Sequence, residues 1–234
     1  ASNDSNEVNT AGKTLQRANF NGGTNGLGGW IFRNNFAVTD SINFNNGIFR
    51  ANGKQIDCKY FNLATANIRK LDLSSSIINI NDGAWNPSNT SNLTFVKGTS
   101  EIVLKGTSNS NFYGNGLTYN KVTFRPTTTM TGTLTGANTY ATLRFEGGVN
   151  ASLEPVIQNA TQFEFAGTCL KNIGIESTVA GTQATFRQTS GSVNALFVNL
   201  KDNAVTGGAT FVAKQSINIG NNSGWSFTSS PALS

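Results

Sequence analysis

Four short apolar–polar–apolar segments recur along the chain at nearly constant spacing. They are Val122-Thr123-Phe124, Leu143-Arg144-Phe145, Phe163-Glu164-Phe165 and Ala184-Thr185-Phe186, and their final phenylalanines lie 21, 20 and 21 residues apart. Leu93-Thr94-Phe95 shows the same pattern 29 residues before Phe124, and Ala209-Thr210-Phe211 shows it 25 residues after Phe186. The two longer intervals predict insertions, one at residues 108–116 and one around 198–208. Within each segment side chains alternate in and out with the period of a strand. A second apolar position follows eight to ten residues later: Leu104, Leu134, Leu153 and Ile173.

A unit of this length holds two or three short strands and cannot bury its apolar face alone, so it must stack on copies of itself. The expectation is an all-β fold: a single-chain parallel β-helix, a β-solenoid with about 20–25 residues per rung. Its repeated phenylalanines should stack as an interior ladder. Gly, Asn, Thr and Ser between the segments suit turns, and aligned asparagines form amide ladders when strands stack in register. An antiparallel β-sandwich or jelly roll also contains many short strands, but its strands need not resemble one another at fixed spacing. The predicted organisation is a Gly/Asn-rich lead-in or N-terminal cap over residues 1–40, the solenoid over 41–227 and a C-terminal tail over 228–234. The run Asn21-Gly22-Gly23-Thr24-Asn25-Gly26 lacks the flanking strand, helix and Lys-Ser/Thr of a phosphate loop.

Composition removes several classes of chemistry. The chain has no His, which excludes Ser-His-Asp and Cys-His nucleophile systems and His-ligated metals. Two Cys cannot build a four-cysteine site. The net charge is +5, but charged residues are only 12% of the chain and the cations are scattered, Arg17, Arg33, Arg50, Arg69, Lys70, Arg125, Arg144 and Arg187 among them, and read as solvated surface charges. No nucleic-acid partner is expected from such a distribution. No run of about 18 apolar residues occurs, so no helical membrane insertion is expected. The chain starts at Ala1 without a Met or a basic–apolar signal, which reads as a processed chain or a fragment.

The solenoid makes two side-chain predictions. Arg144 and Glu164, and likewise Arg125 and Glu146, should occupy equivalent outward sites one rung apart and pair across rungs. Cys58 and Cys169 lie 111 positions apart, about five rungs, beyond the reach of a disulfide. Both read as small buried apolar side chains.

Candidate ligand-contacting residues are aromatic. Trp85 sits in the turn-like run Asn81-Asp82-Gly83-Ala84-Trp85-Asn86-Pro87, Tyr113 precedes Gly114-Asn115-Gly116, and Tyr140 sits just before a repeat strand. Exposed on one flank, Trp85, Tyr113 and Tyr140 would stack on sugars. A polysaccharide lyase or hydrolase would instead need converging carboxylates. The twelve acids are spread out; the solenoid would put Asp57 and Asp72 on neighbouring rungs, but no Asp-Asp pair or Asp-x-Asp appears. No catalytic residue, metal site or cofactor is expected.

The C-terminal stretch Lys201-Asp202-Asn203-Ala204-Val205-Thr206-Gly207-Gly208-Ala209-Thr210-Phe211, followed by Asn221-Asn222-Ser223-Gly224-Trp225-Ser226-Phe227, resembles the closing segment of secreted and virus-encoded right-handed parallel β-helix proteins. Leu117-Thr118-Tyr119-Asn120-Lys121-Val122-Thr123-Phe124 is similar to a rung common in that group. The likeness covers roughly residues 75–227, with Phe211 where the group often has Trp. The group shares an architecture and no common activity; it includes phage structural or fibre proteins and bacterial surface adhesins. The resemblance implies a right-handed, extracellular, non-enzymatic structural protein, a virion or tail-fibre component ahead of a glycan-binding adhesin. Its partners would be copies of itself or other assembly subunits, and cell-surface glycan.

Overall fold

A computed structural model describes residues 5–22 and 26–228. These residues form no helix, and their short strands wind into a parallel β-solenoid of about ten turns with roughly 21 residues per turn. Every pairing between strands is parallel, which excludes the sandwich. The residues 168–171 hold an isolated antiparallel bridge inside one loop. Each turn presents three strand segments and therefore three faces. In one turn these are Val149–Leu153, then residues 157–160, then residues 162–166, which the neighbouring turns extend in register. Parallel pairing already begins at Ser5–Val8 and Thr14–Leu15, so the lead-in contributes strands to the same stack. Residues 23–25 of its Gly-rich loop and 229–234 of the tail lie outside the described residues.

The alternation of side chains on one face builds the core directly. An inward column runs in register through Cys58, Ile80, Leu104, Phe124, Phe145, Phe165, Ala195, Ala213 and Phe227. Phe124, Phe145 and Phe165 stack nearly parallel, with centroids 5.1 and 5.6 Å apart and interplanar angles of 14° and 12°. The fourth repeat phenylalanine departs from the ladder. Phe186 aligns with Gln158 on the neighbouring face, and Ala195 takes its place in the column. Phe165 and Ala195 are 30 residues apart because loops around 167–172 and 178–183 lengthen this turn. Phe186 still fills the tube, edge-on to Phe165 at 5.7 Å and 82°, where the alanine column leaves room.

Three other expectations are corrected as well, one in its face and two in the expected insertions. Phe95 belongs to a separate column with Leu71 and Phe49, because residues 93–96 form the face that precedes Glu101–Gly106. Residues 108–116 are no insertion; they carry Asn111–Tyr113, paired to the turns on both sides. Residues 198–208 hold two ordinary strands, Val198–Lys201 and Asn203–Thr206. The C-terminal end is closed over by Trp225, which packs on Phe165, Phe186 and Phe211 at 5.9, 6.2 and 5.2 Å. Asp202 and Asn221 stitch the last two turns there: the Asn221 amide donates to the Asp202 carboxylate at 2.6 Å and holds that carboxyl below the usual range.

Outward columns pair across turns. The anticipated ion pairs are present, Arg144–Glu164 at 2.8 Å and Arg125–Glu146 at 3.1 Å. They continue through Arg144–Glu146, Arg125–Glu101 and Lys121–Glu101 into a network spanning four turns. An amide ladder joins Asn62 to Asn43 at 2.9 Å and Asn43 to Asn19 at 2.8 Å. Because Arg125 is 40% exposed, its pairs are screened by solvent. The Arg125→Ala variant is expected to lose at most about 1 kcal/mol in a denaturant titration, and the loss should shrink in high salt. Both cysteines are free; Cys58 is buried as expected, but Cys169 is exposed because it lies on the extra loop, outside the column.

Candidate functional site

Of the three aromatic candidates, the structure leaves one at the surface. Trp85 and Tyr140 are 0% and 1% exposed, so neither ring face is open to a ligand. Trp85 aligns between Phe61 and Phe112 on the interior side of one face, and Tyr140 aligns with Tyr119 on another. The turn-like Asp82-Gly83 context is a corner inside the strand Ile77–Asn86, with Asp82 in the left-handed region at φ 50°. Tyr113, by contrast, follows inward Phe112 and is half-buried with its side chain on the outer surface.

Tyr113 lines a groove of about 320 Å³. Its axis is a single outward column that crosses four turns. Asn86 follows Trp85, Tyr113 follows Phe112, Thr135 pairs in register with Tyr113, and Glu154 follows Leu153, the register partner of Leu134. Ser88 and Asn115 supply the rim. At about 4.8 Å per turn, the four column residues cover about 14 Å of axis.

The buried aromatics act as the frame of this groove. The Trp85 indole N–H donates to the Tyr119 hydroxyl at 3.2 Å, and that hydroxyl donates to the Gly114 carbonyl at 2.8 Å, fixing the turn next to Tyr113. On the other wall the Tyr140 hydroxyl donates to Gln158 Oε1 at 3.0 Å, and Gln158 Nε2 donates to the Gly136 carbonyl at 2.8 Å. Between them sits fully buried Asn138. Its amide donates to the Thr135 and Gly136 carbonyls at 2.9 and 2.8 Å, and its Oδ1 accepts from the Gly116 N–H at 2.9 Å. Gly114 has to be glycine, since a Cβ there would stand 2.3 Å from the Asn138 amide. Gly136 has φ +85° and is also tight, with a Cβ position 2.7 Å from the Asn115 nitrogen. A satisfied buried network of this kind holds its members in one geometry.

Burial pushes the phenols of Tyr119 and Tyr140 well above the ordinary value near 10. A raised folded-state pKa means that their stabilisation is complete below about pH 10 and declines as the pH climbs past it. In an alkaline titration, their phenolate absorbance is expected to appear together with loss of the β-sheet circular dichroism. The Tyr119→Phe variant identifies its share of the signal. Ionisation of either residue in an intact fold would contradict the network.

Among the described residues that line the groove, Glu154 is the one that carries a charge. One carboxylate oxygen accepts the Gly136 N–H at 2.7 Å. Three further grooves of about 260 to 360 Å³ lie along the solenoid, around Gly174, Met130 and Asn159, and none of the four carries two carboxylates. Asp57 and Asp72 lie on different faces, the former accepting from Asn79 and the latter from Ser74. Among the described residues no group of three or more His, Cys, Asp or Glu is placed to hold a metal ion. Among the described residues no helix is long and apolar enough to cross a membrane either. No protein-family model, curated protein or solved structure matches this chain.

Proposed function

We propose that the chain is a non-enzymatic structural β-solenoid of an extracellular assembly, a virion or tail-fibre component of a phage. The observation that carries this reading is how the outward polar side chains are used. In two outward columns they pair with the next turn, in the ion-pair network from Glu101 to Glu164 and the amide ladder from Asn19 to Asn62. That arrangement ties successive turns together and stiffens a rod. Ten turns at about 4.8 Å give a rod about 48 Å long. The C-terminal resemblance supports the extracellular, virion setting. Its partners are then copies of itself or other subunits of the same assembly.

Small-angle scattering with native mass measurement tests the proposal. An elongated particle whose mass is a multiple of 24.8 kDa is expected. A strictly monomeric species at every concentration, with no subunit partner recovered from its source, overturns it. A bacterial surface adhesin is the second reading, and the groove at Tyr113 is the observation that favours it.

A further inference from the structure

The outward column that holds the groove changes character along its length. In its first three turns Asn19, Asn43 and Asn62 satisfy one another through their amides. Asn86 is next in register with Asn62, yet the ladder stops: the Asn86 amide has no hydrogen-bond partner among the described residues. The same holds for the hydroxyls of Tyr113, Thr135 and Ser88, and Asn115 uses its amide N–H₂ on the Pro87 carbonyl while its Oδ1 is free. Only one oxygen of Glu154 is engaged. At this groove six polar groups with free hydrogen-bonding capacity converge around an aromatic ring.

Their chemistry selects the ligand. A half-buried ring offers an apolar, polarisable face, and the surrounding hydroxyls, amides and carboxylate oxygen offer both donors and acceptors. A ligand that matches must carry C–H faces and many hydroxyls together. The single charge is negative, so phosphorylated, sulfated and uronate-bearing molecules are repelled. The framing network through Trp85, Tyr119, Asn138 and Tyr140 makes the groove pre-formed, which lowers the ordering cost of binding. The geometry points to a carbohydrate subsite: the groove formed by Asn86, Ser88, Tyr113, Asn115, Thr135 and Glu154 binds a neutral oligosaccharide lying along the solenoid axis, with a sugar ring on Tyr113. The inference holds for a fibre or a cell-surface rod alike, and its failure leaves the structural reading standing.

The test uses the full chain, isotopically labelled, titrated with cellohexaose, maltohexaose and mannohexaose and separately with dextran sulfate. Saturable amide shifts are expected with at least one neutral hexasaccharide, confined to residues 86–88, 113–115, 135–136 and 154. Tyr113→Ala should weaken that binding at least tenfold, while Tyr113→Phe, which keeps the ring, should retain most of it. Should Tyr113→Ala not fold, the position of the shifts in the unaltered protein decides. No saturable shift with any of the three neutral probes, shifts elsewhere on the surface, or binding of dextran sulfate at this groove in their place would each overturn the assignment.

Discussion

Replacing Phe145 by Ala should cost about 3–5 kcal/mol of folding free energy, the usual range for deleting a fully buried aromatic ring. Phe145 is the middle ring of the stacked trio, 5.1 Å from Phe124 and 5.6 Å from Phe165, and it also meets the edge of Phe186 at 6.4 Å. Its loss opens a void that three rings border and that the rigid pairing of adjacent turns cannot collapse. In a solenoid each turn is stabilised through its two neighbours, so the defect weakens both interfaces of the turn that contains residues 142–146. The readout is the midpoint of urea unfolding, with an unchanged slope showing that the folded state is otherwise intact. Phe95→Ala is the control. Phe95 is only half-buried and stands at the edge of its own column, so its loss should be clearly smaller. Equal effects for the two variants would remove the distinction between ladder and flank.

The second large effect concerns a cation inside the tube. Arg69 is 1% exposed, and among the described residues no carboxylate lies within ion-pair distance of it. Its guanidinium instead donates to three backbone carbonyls, those of Asn67 at 3.2 Å, Asn89 at 2.9 Å and Ser91 at 3.2 Å. Burial lowers its pKa from the usual value, as expected for a charge taken out of water. Truncation to Ala leaves the carbonyls of residues 67, 89 and 91 without their donor and a void where the side chain lay. A loss of about 3 kcal/mol in chemical unfolding is expected for Arg69→Ala, with faster amide exchange across residues 87–93. Arg69→Lys should recover only part, because an ammonium cannot reach carbonyls on both sides as a planar fork does. A change within about 1 kcal/mol for Arg69→Ala would mean that the carbonyls find other donors and that the residue carries no such role.

Much of this architecture is legible in the spacing of a few residues. Phe124, Phe145 and Phe165 announce a ladder, and from that register alone Arg144 is matched to Glu164 and Arg125 to Glu146. Phe186 misleads because a 21-residue interval is also produced when a nine-residue excess in the loops moves the true register partner to Ala195 and brings another face to Phe186. Interval regularity reports register only where loop lengths are constant. Arg69 misleads through residue type: an arginine reads as surface. Yet Arg69, Leu71 and Leu73 alternate with the strand period, and the two leucines are fully buried, which places Arg69 on the inner side with them.

The site was legible in part. Tyr113 is found by its neighbours Gly114 and Asn115, which announce a surface turn. Trp85 and Tyr140 read as surface residues because turn residues or a strand start adjoin them, and a solenoid corner uses those residues too. A signal for their burial was present: Tyr119 and Tyr140 are 21 residues apart, the interval of the phenylalanine ladder, and in the structure they stack at 5.9 Å and 25°. The unpaired state of Asn86, Ser88 and Thr135 leaves no trace in sequence, since it depends on which outward groups face one another across turns.

Register between turns defines the solenoid, and a crosslink measures it directly. Thr142 and Gln162 are register partners on the outer surface, one turn apart. At about 4.8 Å their backbones lie within the span a disulfide bridges. In a Cys169→Ser background, the pair Thr142→Cys with Gln162→Cys should close quantitatively under mild oxidation within one chain. Lys121→Cys with Gln162→Cys, two turns apart, should stay reduced. Failure of the first pair to close, or equal closure of the second, would contradict the stacked solenoid.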